Sequence, residues 1–477
     1  MSVLLRRDVL KLMAGAALAP VMLTTGCRRQ ADPWDMETLI RARIKLPVIP
    51  GRDFVITDFG AVGNGQADCT GAIASAIAAA SASGGGRVIV PPGVFMTGPV
   101  HLEDRINLHI EKDATLSFIP EPERYLPEVF TRWEGLEFMG LSPLIYAFGK
   151  TDVAITGAGT LNGGADDTHW WPWKGKWKGR FEDAEFTQQE ARDQLLADAE
   201  AGVPPEDRHY ADGAYLRPPF IQTYNCRNVL IEGVTITQSP FWLINPVLST
   251  SVTVHGVTCN SFGPNNDGCD PESCKDVLIE NCIFDTGDDC IAIKSGRNAD
   301  GRRVGVASEN IIVSNCEMKA GHGGVVMGSE LSGGIKNIFA ENCRMSSPDL
   351  ERGIRIKTNA MRGGGVENLN VRNIEVGTVR DLFVINYYYE EGENGPFMPI
   401  VRNINFHDIH CKNAERVMDI RGFKNALIRD INLVNITVDK ATKPSRVSNV
   451  EALNFNNVTV NGSPVTQLVD LPLEVSS

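Results

Sequence analysis

Apolar and polar residues alternate in a nine-residue pattern that recurs along the chain from about residue 225. In each copy an often polar residue, usually Asn or Asp, precedes an apolar alternation, a polar pair and a second apolar alternation. Period-two alternation predicts short strands with one buried face, and Asn or Gly between two such strands suits a turn. The copies begin at Asn228, Ser251, Asp276, Asn310, Asn337, Asn368, Asn403, Asn425 and Ala452.

Units of this size cannot bury their own apolar faces, so the copies must stack on one another. Stacking in one direction pairs each strand with its equivalent in the next coil, which gives parallel sheets with about 4.8 Å between coils. We therefore predict an all-β, single-stranded right-handed parallel β-helix. A leucine-rich horseshoe is the rival fold, and the absence of its Leu-dominated signature argues against it.

Two segments upstream of the main repeats have other patterns. An Ala-rich stretch, 70–82, has helical spacing and stops at three glycines, and we expect this helix to cap the N-terminal end of the solenoid. A second segment, about 165–215, interrupts the repeats and holds four of the chain's seven tryptophans. Our hypothesis is that this insertion walls one end of a groove and makes the protein act on chain ends. A satellite hydrophobic core is the alternative.

The first residues are typical of an export signal. Arg6 and Arg7 precede an apolar run, 12–23, that is too short to span a bilayer comfortably and resembles a twin-arginine signal. Gly26-Cys27 resembles a lipoprotein cleavage site, which would place a lipid anchor on Cys27. We expect residues 1–27 to be the signal, 28–50 a linker and 51–477 the β-helix domain. The protein is then exported to the periplasm or cell envelope, without a transmembrane domain.

Composition narrows the classes of partner. The formal net charge of −13 argues against binding to nucleic acid or an anionic membrane. Five of the eleven cysteines fall on inward positions of the repeat, so we interpret them as small core residues, as unpaired cysteines often are. These are Cys259, Cys282, Cys316, Cys343 and Cys411. A disulfide between Cys269 and Cys274 stays open. We expect a monomer.

Four clusters place charged or imidazole groups beside predicted turns. They are NND at 265–267, GDD at 287–289, GHG at 321–323 and RIK at 355–357. Because successive clusters lie about one coil apart, stacking in register would bring them together in one groove. A single Asp-Asp pair in a turn is usually only turn chemistry, but four clusters at this spacing favour a site.

Paired carboxylates suit acid and base catalysis at an acetal, where one protonates the leaving oxygen and the other activates water. Crowding of Asp267, Asp288 and Asp289 should raise the proton affinity of at least one carboxylate. Arg355 and Lys357 would hold a substrate carboxylate. His322 would hydrogen-bond the carboxylates or orient the sugar.

These four motifs, in this order, resemble those of glycoside hydrolase family 28, the polygalacturonases, over most of the chain from Asp58 to about Val460. The resemblance implies hydrolysis of α-1,4-linked galacturonate in pectic polysaccharide or oligogalacturonides, with inversion and without metal or cofactor. It implies that Asp288 is the general acid and that Asp267 and Asp289 activate water. Asn265, His322, Arg355 and Lys357 would support the site and bind substrate, and we count His322 among the predicted catalytic residues.

One departure from the family is Asn266, where Thr is usual, which puts a neighbouring subsite in question. The Tyr-Tyr-Tyr-Glu-Glu stretch at 387–391 either lines the same groove or packs in the core. Three alternatives stay open for the function: a hydrolase of galacturonate linkages in rhamnogalacturonan, a calcium-dependent pectate lyase, and a β-helix that binds polysaccharide without cleaving it.

Overall fold

The protein is a right-handed parallel β-helix, and the computed structural model describes residues 32–474. Each coil contributes strands to three parallel sheets that run the length of the solenoid. The alternating repeats form the first two sheets, and the third sheet closes each coil. The predicted fold class is confirmed.

The strands stack in register from coil to coil. The first sheet contains Asp53–Val55, Gly86–Val90, Ile106–Ile110, Thr151–Gly157, Arg227–Glu232, Thr250–His255, Lys275–Glu280, Ser308–Ser314 and Ile335–Glu341. The second contains Asn64–Asp68, Gly93–Thr97, Ala114–Phe118, Thr160–Asn162, Thr235–Thr237, Thr258–Ser261, Ile283–Thr286, Glu317–Met318 and Arg344–Met345. The third contains Val100–His101, Ile145–Phe148, Ile221–Tyr224, Ile244–Val247, Ile291–Ile293, Val325–Gly328, Arg352–Lys357 and Arg446–Ser448. Long strands that bend through more than one sheet complete the later coils: Gly365–Asn386, Ile400–Arg421, Ile428–Val438 and Val450–Val460.

Left-handed backbone explains the Asn and Gly residues of the repeat. The first position of each copy has φ near 60°, as at Asn310 (62°) and Asn337 (58°), and the sixth position has φ of 53° at Asn315. Glycine adopts this conformation freely, and Asn tolerates it better than most residues. The first-position side chains also form a ladder, because Asn310 donates to Asp276 Oδ1 at 2.9 Å and Asn337 donates to Asn310 Oδ1 at 3.0 Å.

One predicted copy has the wrong register. The copy assigned to Asn425 begins at Asp430, whose neighbour Ile431 pairs with Ile404 in the preceding coil. Asp430 has the left-handed backbone of a first position (φ 57°), whereas Asn425 lies in a turn. Both segments alternate apolar and polar residues, so alternation alone could not separate them.

The interior of the solenoid is one continuous apolar core, and it contains the cysteines. The ten cysteines among the described residues are all free and buried, including Cys269 and Cys274. Cys282, Cys316 and Cys343 follow paired strands of successive coils and stack as an inward ladder. The interpretation of the five repeat cysteines as core residues is confirmed, and the Cys269–Cys274 disulfide is absent from this structure.

Within residues 32–474, four helices lie outside the coils of the β-helix: α1 (Pro33–Arg43), α2 (Thr70–Ala82), α3 (Gln189–Ala201) and α4 (Asn298–Val304). α2 buries one apolar side against the first coils, as predicted for the cap. None of the helices between residues 32 and 474 is long and apolar enough to cross a membrane. The predicted export signal and Cys27 lie outside the described residues.

The helix α1 lies within residues 28–50, which were expected to form a linker, and it packs on the β-helix. Ile40 is fully buried against Ile312 and Phe339 on the outer surface of the first sheet. Arg43 adds a bond of 2.8 Å to Asp276, and Arg372 lies 3.6 Å above the ring of Trp34. The apolar stripe of α1 is too short to have been recognised from the sequence.

The insertion and an antiparallel hairpin cover the third sheet. The insertion contains the short helical turns Trp171–Lys174 and Pro205–Asp207, the helix α3 and the strand His209–Tyr210. That strand pairs with the hairpin formed by Val129–Trp133 and Leu136–Gly140. The remaining elements are the strand Ser463–Val465 and the single turns Ile56–Phe59, Pro122–Tyr125 and Leu468–Asp470.

Candidate active site

The four predicted motifs meet where each coil passes from the second sheet to the third. Asp267, Asp288 and His322 lie in successive turns that lead into this sheet, and Arg355 and Lys357 lie on its strand Arg352–Lys357. The register is continuous, because Cys269 pairs with Ile291, Ile291 with Val325 and Val325 with Ile354. The predicted clustering of these residues on one side of the solenoid is therefore present in the structure.

The three aspartates form a compact group. Asp267, Asp288 and Asp289 each offer an oxygen within 4.8 Å of the others. Their side chains are 4%, 17% and 0% exposed, respectively, so Asp288 is the most exposed of the three, and both Asp288 and Asp267 line the pocket. A proton passed to a bound ligand would leave most directly from Asp288.

His322 lies against Asp288, with 2.8 Å between Nδ1 and Oδ1. Burial alone would raise the pKa of Asp288, but the charge and hydrogen bond of His322, together with Lys357 and Lys294, lower it below its usual range. The negative charge of Asp288 raises the pKa of His322 in turn. These opposite shifts favour an ion pair of imidazolium and carboxylate, with one transferable proton between His322 and Asp288.

Asp267 behaves in the opposite way. Burial, and then the charges of Asp270 and Asp288, raise the pKa of the Asp267 carboxyl well above its usual range. Asp270 is fully buried, and neither of its oxygens has a hydrogen-bond partner among residues 32–474. Lys294 offsets part of this charge, with its Nζ 3.8 Å from Asp267 and 3.7 Å from Asp270. Crowding therefore raises the proton affinity of Asp267, as expected for one of the three.

Arg355 and Lys357 both contact the carboxylate of Asp289. Lys357 Nζ lies 2.7 Å from Asp289 Oδ2, and Arg355 lies 3.6 Å from Asp289 Oδ1. Both also line the pocket, so each is positioned between Asp289 and any bound ligand. A predicted contact of either side chain with a substrate carboxylate would therefore form in addition to its contact with Asp289.

Asn265 and Asn266 have different tasks. Asn265 lines the pocket and accepts a hydrogen bond of 2.7 Å from Arg217. Asn266 is fully buried, and its side chain accepts from Ser261 and donates to the carbonyl of Phe241. Asn266 thus fixes the turn that carries Asp267 and is absent from the pocket lining.

The pocket has a volume of about 560 Å³, and the insertion supplies part of its wall. Lys174, Trp177, Gln189 and Arg192 come from the insertion and face the motif residues across this space. A second cavity of about 650 Å³ adjoins it at His322 and continues along the solenoid. A chain that spans both cavities would pass His322 and the adjacent Asp288.

The hairpin tip and the 387–391 stretch complete the wall. Glu134, at the tip, lies 2.8 Å from both Arg192 and Arg297 and so ties the insertion to the β-helix. Tyr389 and Glu390 line the pocket. The neighbouring Tyr387 is buried in the core, so the 387–391 stretch divides between the two predicted environments.

Several pocket residues were not assigned a role from the sequence. Lys294 lies 3.2 Å from Glu330 and 4.5 Å above the ring of Trp242, so all three form the floor beside Asp267. Lys294 falls at the end of the buried strand Ile291–Ile293, and a lysine in that position is the one available signal. Glu330 and Trp242 belong to no motif.

The aspartate group was tested as a metal site. Its oxygen spacing would suit a cation, but Lys357, Arg355 and Lys294 already contact or face the same carboxylates. Ammonium and guanidinium groups at these distances oppose the binding of a further cation. The donor set therefore fits acid–base chemistry better than metal ligation.

Comparison with known proteins gives consistent results. The model of the glycosyl hydrolases family 28 matches residues 208–462. A probable polygalacturonase of Vitis vinifera is 28% identical over 88% of this chain and 82% of its own length. The exo-poly-alpha-D-galacturonosidase of Dickeya chrysanthemi is 26% identical over 85% of this chain and 70% of its own length.

Two solved structures match most of the solenoid. The hyperthermoactive exopolygalacturonase from Thermotoga maritima superposes with a TM-score of 0.86 and 44% identity, over 90% of this chain and 96% of that one. The family 28 exopolygalacturonase of Yersinia enterocolitica shares the fold, with a TM-score of 0.69 and 21% identity over 86% of this chain and 75% of that one. The chain belongs to glycosyl hydrolase family 28.

Proposed function

We propose that this glycoside hydrolase is an exo-acting polygalacturonase, which cleaves α-1,4-linked galacturonate from an end of pectic polysaccharide or oligogalacturonides. The observation that carries exo action is the insertion, which supplies Lys174, Trp177 and Arg192 to one wall of the catalytic pocket. The similarity to exopolygalacturonases supports the same conclusion.

In the proposed mechanism Asp288 protonates the leaving glycosidic oxygen. Its partner His322 keeps a proton 2.8 Å away, which compensates for the lowered pKa of Asp288. As the bond to the leaving oxygen breaks, the Nδ1 proton of His322 passes to Asp288 while Asp288 delivers a proton to that oxygen, which leaves neutral imidazole and the Asp288 carboxylate. General acid catalysis of this kind contributes roughly 10²- to 10⁴-fold.

Asp267 and Asp289 together hold and activate the attacking water. Lys357 and Arg355 balance the charge of Asp289, and Lys294 faces Asp267. Because burial and neighbouring carboxylates raise the pKa of Asp267, Asp289 is the carboxylate that accepts the proton of the water. Arg355 and Lys357 also orient the substrate, Asn265 supports the turn of Asp267, and the mechanism uses no metal or cofactor.

Early-time product analysis on defined oligogalacturonides tests this function. Exo action should release one small product while the substrate shortens by a constant step, whereas a ladder of mixed oligomers would contradict it. Rhamnogalacturonan fragments as the only cleaved substrate would move the assignment to that backbone. Ultraviolet-absorbing products with sensitivity to chelator would indicate a lyase.

Asp288→Asn should lower kcat by roughly 10²- to 10⁴-fold without loss of substrate binding. Asp285→Asn is the matched control, because Asp285 lies on the adjoining strand Ile283–Thr286 and is absent from both cavity linings. Equal activity of the two variants would exclude Asp288 as the acid. Binding without any hydrolysis by the unaltered protein would instead support a non-catalytic β-helix.

We also propose that residues 1–27 direct export and that the protein acts in the periplasm or cell envelope, with a lipid on Cys27. The twin arginines and Gly26-Cys27 support this proposal. Cell fractionation of the unaltered chain and of Cys27→Ser tests it. Release of the Cys27→Ser variant into the soluble fraction is expected, and identical fractionation of the two would contradict the lipid anchor.

A further inference from the structure

The cationic side chains of the catalytic pocket are not equivalent. Most of them contact a carboxylate of the protein: Arg192, Lys294, His322, Arg352, Arg355 and Lys357. Lys174 differs, because within residues 32–474 its Nζ has no carboxylate oxygen within 4.0 Å and no hydrogen-bond partner. Its ammonium group is therefore available to a ligand without the loss of an internal ion pair.

The surroundings of Lys174 favour an anion. Burial lowers the pKa of Lys174, and the nearby charges of Arg217 and Arg192 lower it further, against the opposing charges of Glu134 and Asp288. Arg217 is itself fully buried, and its hydrogen bonds go to neutral oxygens, such as the carbonyl of Pro264 at 2.6 Å. A bound carboxylate would relieve the repulsion among these cations and form a charge-assisted hydrogen bond.

The backbone that carries Lys174 is held in place. Lys174 ends the helical turn Trp171–Lys174, whose first residue donates from its indole to the carbonyl of Ser239 at 2.9 Å. Gln188 donates its backbone N–H to the carbonyl of Trp173 at 2.7 Å. The ring of Trp177 lines the same wall and offers an apolar face to a sugar. Such preorganisation reduces the entropy that binding must overcome.

We propose that Lys174 binds the carboxylate of the terminal galacturonate that fills the insertion side of the pocket, and so makes the enzyme select an acidic chain end. This inference rests on the proposed function and assigns the selectivity to a residue of the insertion, in addition to Arg355 and Lys357. Those two contact Asp289 and serve the reacting centre.

Trigalacturonate and its two mono-methyl esters, each esterified on one terminal residue, provide the test. For the unaltered enzyme, esterification of the end that enters the pocket should lower kcat/KM by about 10- to 100-fold, the value of a charge-assisted hydrogen bond. Lys174→Met should lose about the same factor on trigalacturonate and nothing more on that ester. Lys174→Arg should keep most of the preference for the free acid.

Lys176→Met is the matched control. Lys176 lies in the same loop, is 77% exposed and is paired with Glu182 at 3.1 Å, so this variant should match the unaltered enzyme on all three substrates. Equal losses for Lys174→Met on the acid and the esters, or no loss at all, would overturn the assignment. Absence of hydrolysis by the unaltered enzyme on all three substrates would overturn the proposed function itself, and the assignment with it.

Discussion

The contact between His322 and Asp288 should determine how activity depends on pH. Replacement of His322 by Asn removes the imidazolium that lies 2.8 Å from Asp288 and leaves the carboxylate in place. A charge-assisted hydrogen bond is worth about 1.5–3 kcal/mol. The side chains are 27% and 17% exposed, so most of this value should apply, and kcat/KM near pH 6 should fall by roughly 10- to 100-fold.

The sign of the pH effect follows from the two pKa shifts. Because the pKa of His322 is raised, the imidazolium persists above the usual value of 6.5 and is lost as pH rises through the raised pKa. Because the pKa of Asp288 is lowered, its carboxylate persists below the usual value of 3.8. The ion pair and its stabilisation therefore exist between these two limits. Activity should decline on the alkaline side as the proton of His322 is lost.

Initial rates of reducing-sugar release from an oligogalacturonide, measured at intervals of about one pH unit from about pH 4 to pH 9, test the predicted alkaline decline. His322→Asn should show a lower plateau without the alkaline decline of the unaltered enzyme. His410→Asn is the control, since acidic neighbours also raise the pKa of His410, yet this residue is absent from both cavity linings. An alkaline decline at the same pH in the His322→Asn variant would refute the role of His322.

Three further predictions concern stability and stereochemistry. Burial raises the pKa of Glu272 from 4.5 to about 7, so the free energy of unfolding falls by about 3 kcal/mol as pH rises between these values. In urea unfolding, Glu272→Gln should therefore stabilise the protein at pH 8 but not at pH 4. Equal effects at both pH values would contradict the raised pKa. In the same assay, Ile40→Ala should lower the free energy of unfolding by about 2–5 kcal/mol, whereas Leu39→Ala should lower it little because Leu39 is 66% exposed. Equally small losses for both variants would show that α1 does not stabilise the fold. Proton NMR of the first product should show the inverted anomer, and the retained anomer would contradict the family-based mechanism.

Much of the fold could be predicted because the residue pattern of each repeat specifies its local backbone conformation. Alternation specifies the strands, and Asn or Gly at left-handed positions marks the turns. The register of the Asn425 copy was wrong because two overlapping alternations compete there, and only the left-handed backbone of Asp430 decides between them. Residues such as Ile40 could not be placed, because a short helix docked on the outside of a sheet leaves little periodic signal.

The candidate site likewise contains some residues that could be predicted from the sequence and others that could not. Asp267, Asp288 and His322 could be brought together because the stacking of coils fixes their separation along the axis. Lys174 and Glu134 could not, because they come from an insertion and a hairpin whose approach to the pocket depends on tertiary contacts. The pairing of Lys357 with Asp289 was also missed, since a sequence gives residue types and not which opposite charges meet.

The solenoid separates the chemistry of this enzyme from its selectivity. One oxygen from each of the three aspartates lies within 4.8 Å of the others, because Asp288 and Asp289 are adjacent in one coil and Asp267 lies in the neighbouring coil, one β-ladder spacing away. This is closer than the roughly 6.5–9.5 Å usual for inverting enzymes with two carboxylates, which makes the anomer of the product the most informative single observation on the mechanism. The insertion is not bound by the ladder spacing, so changes at Lys174 or Trp177 can alter which chain end enters without moving the three aspartates.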